Sequence, residues 1–143
     1  MLYTEYLKTI HSCPFCACND RVLVDTRTAF LTYAKAQYHE HHMLVIPKRH
    51  VIRLSELTDS EREEIDSLIA RAVNALERLN MKNISVLVRD GAVGNGANKS
   101  IDHLHYHIVP EVRIGTIDSK GEDRRVMSDE EIEREVGVLS RVV

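Results

Sequence analysis

Residues 101–110 read IDHLHYHIVP, with His103, His105 and His107 alternating with Leu104, Tyr106 and Ile108. Successive side chains of a β-strand point to opposite faces, so a period of two predicts a strand with two unlike sides. One side carries Leu104, Tyr106 and Ile108 into a core; the other gathers three imidazoles on one exposed face. Imidazoles held together in this way need a partner, which is a metal, a phosphate or one another.

The remaining chain supplies the elements that such a strand can pair with. Residues 22–26 (VLVDT) and 29–36 (AFLTYAKA) read as two strands joined by a turn at Arg27 and Thr28. Met43 to Ile46 forms another strand, stopped by Pro47, which has no amide to donate. Residues 57–80 predict a long helix. Thr58 and Glu61 make a capping box, and Ile65, Leu68, Ile69, Ala72, Val73, Leu76 and Leu79 follow helical spacing along one face. A strand at 84–90 precedes the glycine-rich stretch GAVGNGAN, and Ser128 with Glu131 opens a short C-terminal helix. Strands clustered around one long helix predict an α+β domain: a mainly antiparallel sheet of about five strands, one long helix and a short C-terminal helix. A chain of 143 residues suffices for one core, so 1–143 is expected to be a single domain. Its motif-bearing part spans about 13–110, and 111–143 is a C-terminal extension.

Composition removes some function classes. A net charge of −3 offers no basic surface for nucleic acid. No apolar run approaches the roughly 20 residues that span a bilayer. The start, MLYTEYLKTIHSC, lacks the basic and apolar stretches of a signal peptide, which makes the cytoplasm the expected location. Cys13, Cys16 and Cys18 are an odd, clustered set in CPFCAC, which argues against a disulfide framework and for metal binding over redox use.

The alternating histidines admit three purposes. Imidazoles at i and i+2 can both reach one zinc. A neutral imidazole nitrogen can attack phosphorus while a hydrogen-bonded second ring steadies the phosphoryl oxygens. A solvated face without a task is the third. The preceding RDGAVGNGANKS places Gly91, Gly94 and Gly96 where backbone can approach a ligand. With Asn98, Lys99, the Ser100 hydroxyl and Arg89, it describes an anion-binding concavity beside the rings.

These segments resemble the histidine-triad (HIT) superfamily of nucleotide hydrolases and transferases. HLHYHIV matches its His-φ-His-φ-His-φ-φ pattern, CPFC its Cys-x-x-Cys entry, and HHMLVIPKRHV its GH-x-LVIPK-x-H segment. In zinc-bearing members the metal lies on the counterparts of Cys13, Cys16, His50 and His103. The resemblance therefore implies one structural Zn2+ per chain. It implies His105 as nucleophile toward the α-phosphorus of a nucleotide, His107 as the ring that contacts phosphate oxygens and assists the leaving group, and Ser100 as hydrogen-bond partner of the scissile region. Cys18 is read as a small buried residue, His42 as a structural position, and His39 and His41 as solvent-exposed. Departures occur at Ala34, where an acidic residue commonly meets the ribose, and at Lys99 and Arg89. The added positive charge favours a more highly phosphorylated substrate.

The implied activity is hydrolysis of a nucleotidyl phosphoanhydride or phosphoramidate, of the dinucleoside polyphosphate or adenosine phosphoramidate class. A nucleotidyl-histidine is the intermediate and a homodimer the expected assembly, without nucleic-acid or membrane partners. Two rival expectations stand beside it: a non-catalytic nucleotide-binding or regulatory module, and a zinc-hydroxide hydrolase holding its metal on all three strand histidines.

Overall fold

The computed structural model describes residues 1–17, 21–92, 101–112 and 124–143. In chain order the elements are α1 (Tyr3–Lys8), β1 (Val24–Asp25), β2 (Ala29–Tyr33), β3 (Met43–Pro47), α2 (Asp59–Arg78), β4 (Ile84–Val88), β5 (Tyr106–Pro110) and α3 (Asp129–Val142). A 3₁₀ turn at Leu54–Glu56 leads into α2. The strands form one five-stranded sheet in the order β1-β2-β3-β5-β4, antiparallel throughout. The α+β architecture expected from the sequence is the one observed.

The sheet is covered on both faces, and its alternation sorts the residues. One face packs Leu31, Met43, Val45, Leu104 and Ile108 against Ile65, Leu68, Ala72, Ala75 and Leu76 of α2. The other carries a smaller cluster of Phe30, Ala34, Leu44 and Ile46, with Phe15 and Val22 packed against it. Residues directly opposed in an antiparallel pair share a face, and His107 is opposed to Leu44 while Ile108 is opposed to Met43. The register thus sends Ile108 toward α2 and His107 to the face away from it.

Helix α2 starts where its capping box starts. The Glu61 amide donates to Thr58 Oγ1 at 3.2 Å, and the Thr58 amide donates to Glu61 Oε1 at 2.9 Å. Its apolar stripe then buries Leu76 completely. Truncating Leu76 to alanine is expected to cost about 2–5 kcal/mol through lost burial and the cavity left behind. Urea unfolding of wild type and variant measures it.

Several boundaries differ from the sequence-based expectation. Strand β2 ends at Tyr33 rather than at residue 36: after one further bond, from the Ala34 amide to the His42 carbonyl, residues 35–41 turn back. Strand β4 stops at Val88, and Asp90 instead accepts from the Leu54 amide at 2.6 Å and from Arg53 Nη1 at 3.1 Å. The C-terminal helix, by contrast, covers the expected segment DEEIEREVGVLSRV, Asp129–Val142. It buries Leu139 against the α2 side of the sheet, and Arg71 and Arg78 of α2 donate to the carbonyls of Val143 and Val142. The N-terminal helix α1 was not expected; its start is tied down by the Tyr3 amide on Arg124 O at 2.6 Å and the Val126 amide on Met1 O at 2.9 Å. Among the described residues no helix is long and apolar enough to cross a membrane.

Candidate functional site

The largest correction concerns the histidine strand itself. β5 begins at Tyr106, so only His107 lies in regular strand. Just upstream, the Leu104 amide leaves the sheet ladder to donate to Val51 O at 2.7 Å. The imidazoles are not on an exposed face: His103 is 0% and His105 8% accessible, with His107 partly buried. Nor do they share one task, since the first ring is turned aside. Phe15 sets an edge against both His103 (ring centroids 5.8 Å) and His105 (5.1 Å), and His105 and His107 lie 4.8 Å apart.

Hydrogen bonds to backbone assign each ring nitrogen. A carbonyl only accepts, so the ring nitrogen facing it carries the hydrogen, and in a neutral imidazole the other nitrogen then keeps its lone pair. His103 Nε2 donates to Pro47 O at 2.7 Å, so its Nδ1 lone pair faces the Cys13 and Cys16 sulfurs at 3.3 and 3.5 Å. His105 Nδ1 donates to the His103 carbonyl at 2.7 Å, which leaves the lone pair on Nε2. The third case runs through a second ring. The Tyr38 amide donates to His42 Nδ1 at 3.2 Å, so neutral His42 bears its hydrogen on Nε2 and donates it to His107 Nδ1 at 2.9 Å. His107 is thereby left with an Nε2–H to offer.

The surroundings keep this relay neutral. Burial first, then the Arg124 guanidinium and the His105 ring, push His42 down to about 3. Burial also holds His107 well below the usual histidine range, helped by the charges of His42, His105, Arg124 and Arg89. Such rings make stability depend on pH. Unfolded histidine takes its proton near 6.5, whereas folded His42 resists until about 3. Between these values the unfolded chain binds the extra proton, so stability that is complete above pH 6.5 is lost as pH falls toward 3. The limiting slope is about 1.4 kcal/mol per pH unit for each such ring. His42→Gln is expected to flatten the fall in unfolding free energy between about pH 6 and pH 5, measured by urea titration against wild type.

Cys13, Cys16, His50 and His103, the set implied by the resemblance, converge, their ligand atoms all lying within 4.8 Å of one another. Cys16 Sγ is 3.1 Å from His50 Nδ1, and the His50 and His103 rings meet edge to face at 4.9 Å. Tetrahedral bonds of metal to sulfur and imidazole nitrogen place donors about 3.3–3.8 Å apart; the 3.3 and 3.5 Å contacts of His103 fall in that range, and the 3.1 Å contact of His50 is slightly shorter. Burial, followed by the hydrogen bond and charge of Cys13, pushes the Cys16 thiol up. A thiol that resists ionising beside a second sulfur is one that a cation would relieve. The bond from His103 Nε2 to Pro47 O is the orienting contact that a metal-ligating histidine usually makes. The four residues could hold a metal ion. The rival arrangement of three strand histidines around one ion is not what the chain builds: His107 Nδ1 is engaged by His42, and the described triad member of this cluster is His103.

The other expected residues are placed unevenly. Arg89 follows β4, partly buried, and its charge reaches His107. Gly91 opens the glycine-rich stretch at φ +99°, a conformation that glycine tolerates, with its amide on Ile52 O at 2.9 Å. Gly94, Gly96, Asn98, Lys99 and Ser100 lie outside the described residues, as does Cys18. Ala34 is buried in the smaller cluster with Phe30 and Leu44. His41 was expected in solvent and is buried, its Nδ1 donating to Glu135 Oε2 at 3.0 Å; His39, half-buried, donates to Glu40 O at 3.0 Å. Sequence reasoning gave His42 only a structural position and missed Phe15, Tyr38 and Arg124. The tyrosine stacks on His42 with ring centroids 5.5 Å apart, and the Arg124 guanidinium lies 4.0 Å from its ring centre. None of these has a sequence signal beyond nearness to a recognisable motif.

Known proteins resemble this chain in sequence and in fold. The family model of the HIT domain matches residues 18–114. An adenosine 5'-monophosphoramidase of Schizosaccharomyces pombe is 34% identical over 83 residues, covering 58% of this chain and 56% of its own length. An asymmetrical bis(5'-nucleosyl)-tetraphosphatase of the same organism is 33% identical over 70 residues, 48% of this chain and 37% of its own. The chain thus spans about half or less of the length of these curated relatives. A Zn-bound histidine triad family protein from Mycobacterium smegmatis superposes with a TM-score of 0.65 at 22% identity, covering 91% of this chain and 94% of that one, which is a likeness of fold. With the family model spanning well over half of its residues, and the sheet and histidine segment found where that match falls, the chain belongs to the HIT domain family.

Proposed function

We propose that this chain hydrolyses a nucleotidyl phosphoanhydride or phosphoramidate through a covalent intermediate on His105. One observation carries the reading: the hydrogen bond from His105 Nδ1 to the His103 carbonyl, which leaves the Nε2 lone pair of a ring packed between Phe15 and His107. That nitrogen attacks the α-phosphorus of the nucleotide. An N–P bond forms as the bond to the leaving group breaks; a phosphate departs as its anion, and an amine departs with a proton taken up from solvent. Water then attacks the same phosphorus, the N–P bond breaks, and nucleoside monophosphate is released. His107 offers its Nε2–H to a phosphoryl oxygen in both steps, its tautomer set by His42 and the Tyr38 amide.

Arg89, Gly96, Asn98 and Lys99 are the proposed contacts of the phosphates, and Ser100 the hydroxyl at the scissile bond. The positive charge of Arg89 beside His107 supports a phosphate-rich ligand. The two named relatives, a phosphoramidase and a dinucleoside tetraphosphatase, mark the two substrate classes to try. Cys13, Cys16, His50 and His103 are proposed to hold one structural zinc, whose contribution is to fasten residues 13–16 to the segment that carries His105. The whole chain is read as one domain working as a cytoplasmic homodimer.

Stereochemistry tests the mechanism. Two in-line displacements at one phosphorus restore its configuration, whereas direct attack of water inverts it. A nucleotide with a chiral α-phosphorothioate, hydrolysed in isotopically labelled water, is expected to give labelled nucleoside product with retention. Inversion, or label in the leaving phosphate, contradicts the covalent reading. Binding of both substrate classes without turnover would favour the regulatory module instead.

A further inference from the structure

The turn that feeds the histidine relay is held partly from beyond the family-matched part of the chain. Residues 34–42 run from β2 to β3 and carry both the Tyr38 amide and His42. His41 within it sits at φ +68°, a left-handed conformation uncommon outside glycine, which histidine adopts more readily than most residues. Its side chain is held by Glu135 of α3, beyond residue 114 where the family match ends. One carboxylate is bonded to both ends of a five-residue stretch: Gln37 Nε2 donates to Oε1 at 2.8 Å, and His41 Nδ1 donates to Oε2 at 3.0 Å. Glu135 is 7% accessible and His41 is likewise buried, so water does not compete with these bonds. Between the two anchors lies Tyr38, whose amide faces His42 Nδ1.

We propose that Glu135 is a positioning residue for the relay: by stapling Gln37 to His41 it keeps the Tyr38 amide aimed at His42, and so fixes which nitrogen of His107 carries the hydrogen. The staple never touches substrate. It acts through the turn, because a His42 ring without the amide on Nδ1 can exchange its hydrogen between nitrogens. His107 Nδ1 then loses its donor, and the Nε2–H offered to phosphate is no longer guaranteed. The kinetic part of this inference rests on the hydrolase reading above; the tautomer part does not.

The test uses the full chain with its metal and compares Glu135→Ala, Glu135→Gln and Gln37→Ala. Long-range ¹H–¹⁵N NMR of the imidazoles is expected to show single Nε2–H forms for His42 and His107 in wild type and mixed forms in Glu135→Ala. In the same variant kcat should fall roughly tenfold to a hundredfold, the size expected of a slightly misplaced catalytic group, with KM within about twofold of wild type. Glu135→Gln keeps an oxygen for His41 and should restore single tautomers and most of kcat. Gln37→Ala removes one anchor and should give an intermediate result, which keeps the test usable if Glu135→Ala does not fold. Unchanged tautomers in folded Glu135→Ala and Gln37→Ala overturn the proposal, as does a loss expressed in KM alone. Should wild type turn over no nucleotide while the tautomers respond as described, the hydrolase reading fails and the staple stands.

Discussion

Replacing His105 by asparagine is expected to lower kcat by at least about 10³-fold while leaving the fold and the metal content unchanged. The size follows from the role. A nucleophile that forms the intermediate leaves only binding and electrostatic support behind when it is removed, and asparagine supplies no nitrogen lone pair able to displace a phosphate. Preservation of the fold follows from the position. His105 bonds to the His103 carbonyl and touches Phe15 and His107, but it contributes nothing to the cluster against α2. Preservation of the metal discriminates among mechanisms. If zinc sits on Cys13, Cys16, His50 and His103, one equivalent survives the substitution. If the three histidines near β5 shared the ion, metal content would drop together with activity. Steady-state kinetics with elemental analysis of the same sample reads both numbers.

The second large effect is expected at the cysteines. Cys13→Ala combined with Cys16→Ala should abolish metal binding and cost about 3–5 kcal/mol of stability. In small zinc fingers the metal provides nearly all the folding energy, whereas here a two-faced sheet with a full core folds around Leu31, Val45, Leu76 and Ile108. The loss is therefore a fraction of the whole and leaves a folded domain. It should fall on one region. Residues 11–17 contain no strand or helix, and Cys13 and Cys16 reach His103 and His50 across the chain. Unpinning them frees Phe15, whose ring edges rest on His103 and His105, so kcat should fall too. Chemical denaturation of wild type, variant and chelator-treated wild type checks the account: the last two should coincide, and a variant that keeps zinc and full stability contradicts it.

How much of this was readable beforehand depended on whether the signal was local. The period of two sent Ile108 to the core and His107 to the opposite face, because alternation is a property of the backbone itself; Leu104 is also buried, though it precedes the regular strand. The capping boxes at Thr58 and Ser128 fixed helix starts to the residue, since cap and partner lie three positions apart. The four residues proposed to hold a metal came through resemblance, and their side chains converge. What sequence could not supply was long-range. His41 looked like a polar surface residue because its neighbours are polar; it is buried because Glu135, some ninety residues later, lies over it. The early end of the histidine strand is equally non-local, since it turns on the Leu104 amide finding Val51 O. The tautomers of His103, His105 and His107 depend on Pro47 O, His103 O and His42, none of which alternation reveals.

The measurement that bears most directly on the central claim is capture of the intermediate. Enzyme mixed with adenosine phosphoramidate or a dinucleoside polyphosphate, quenched in denaturant at alkaline pH within the first turnover and digested, is expected to yield a peptide containing His105 that carries one nucleoside monophosphate. That bond should be stable in base and lost in acid, as a phosphorus–nitrogen bond is, and should be absent from the His105→Asn protein. Turnover that leaves His105 unmodified at every quench time, or a nucleotide found on His107 or a cysteine, contradicts the account.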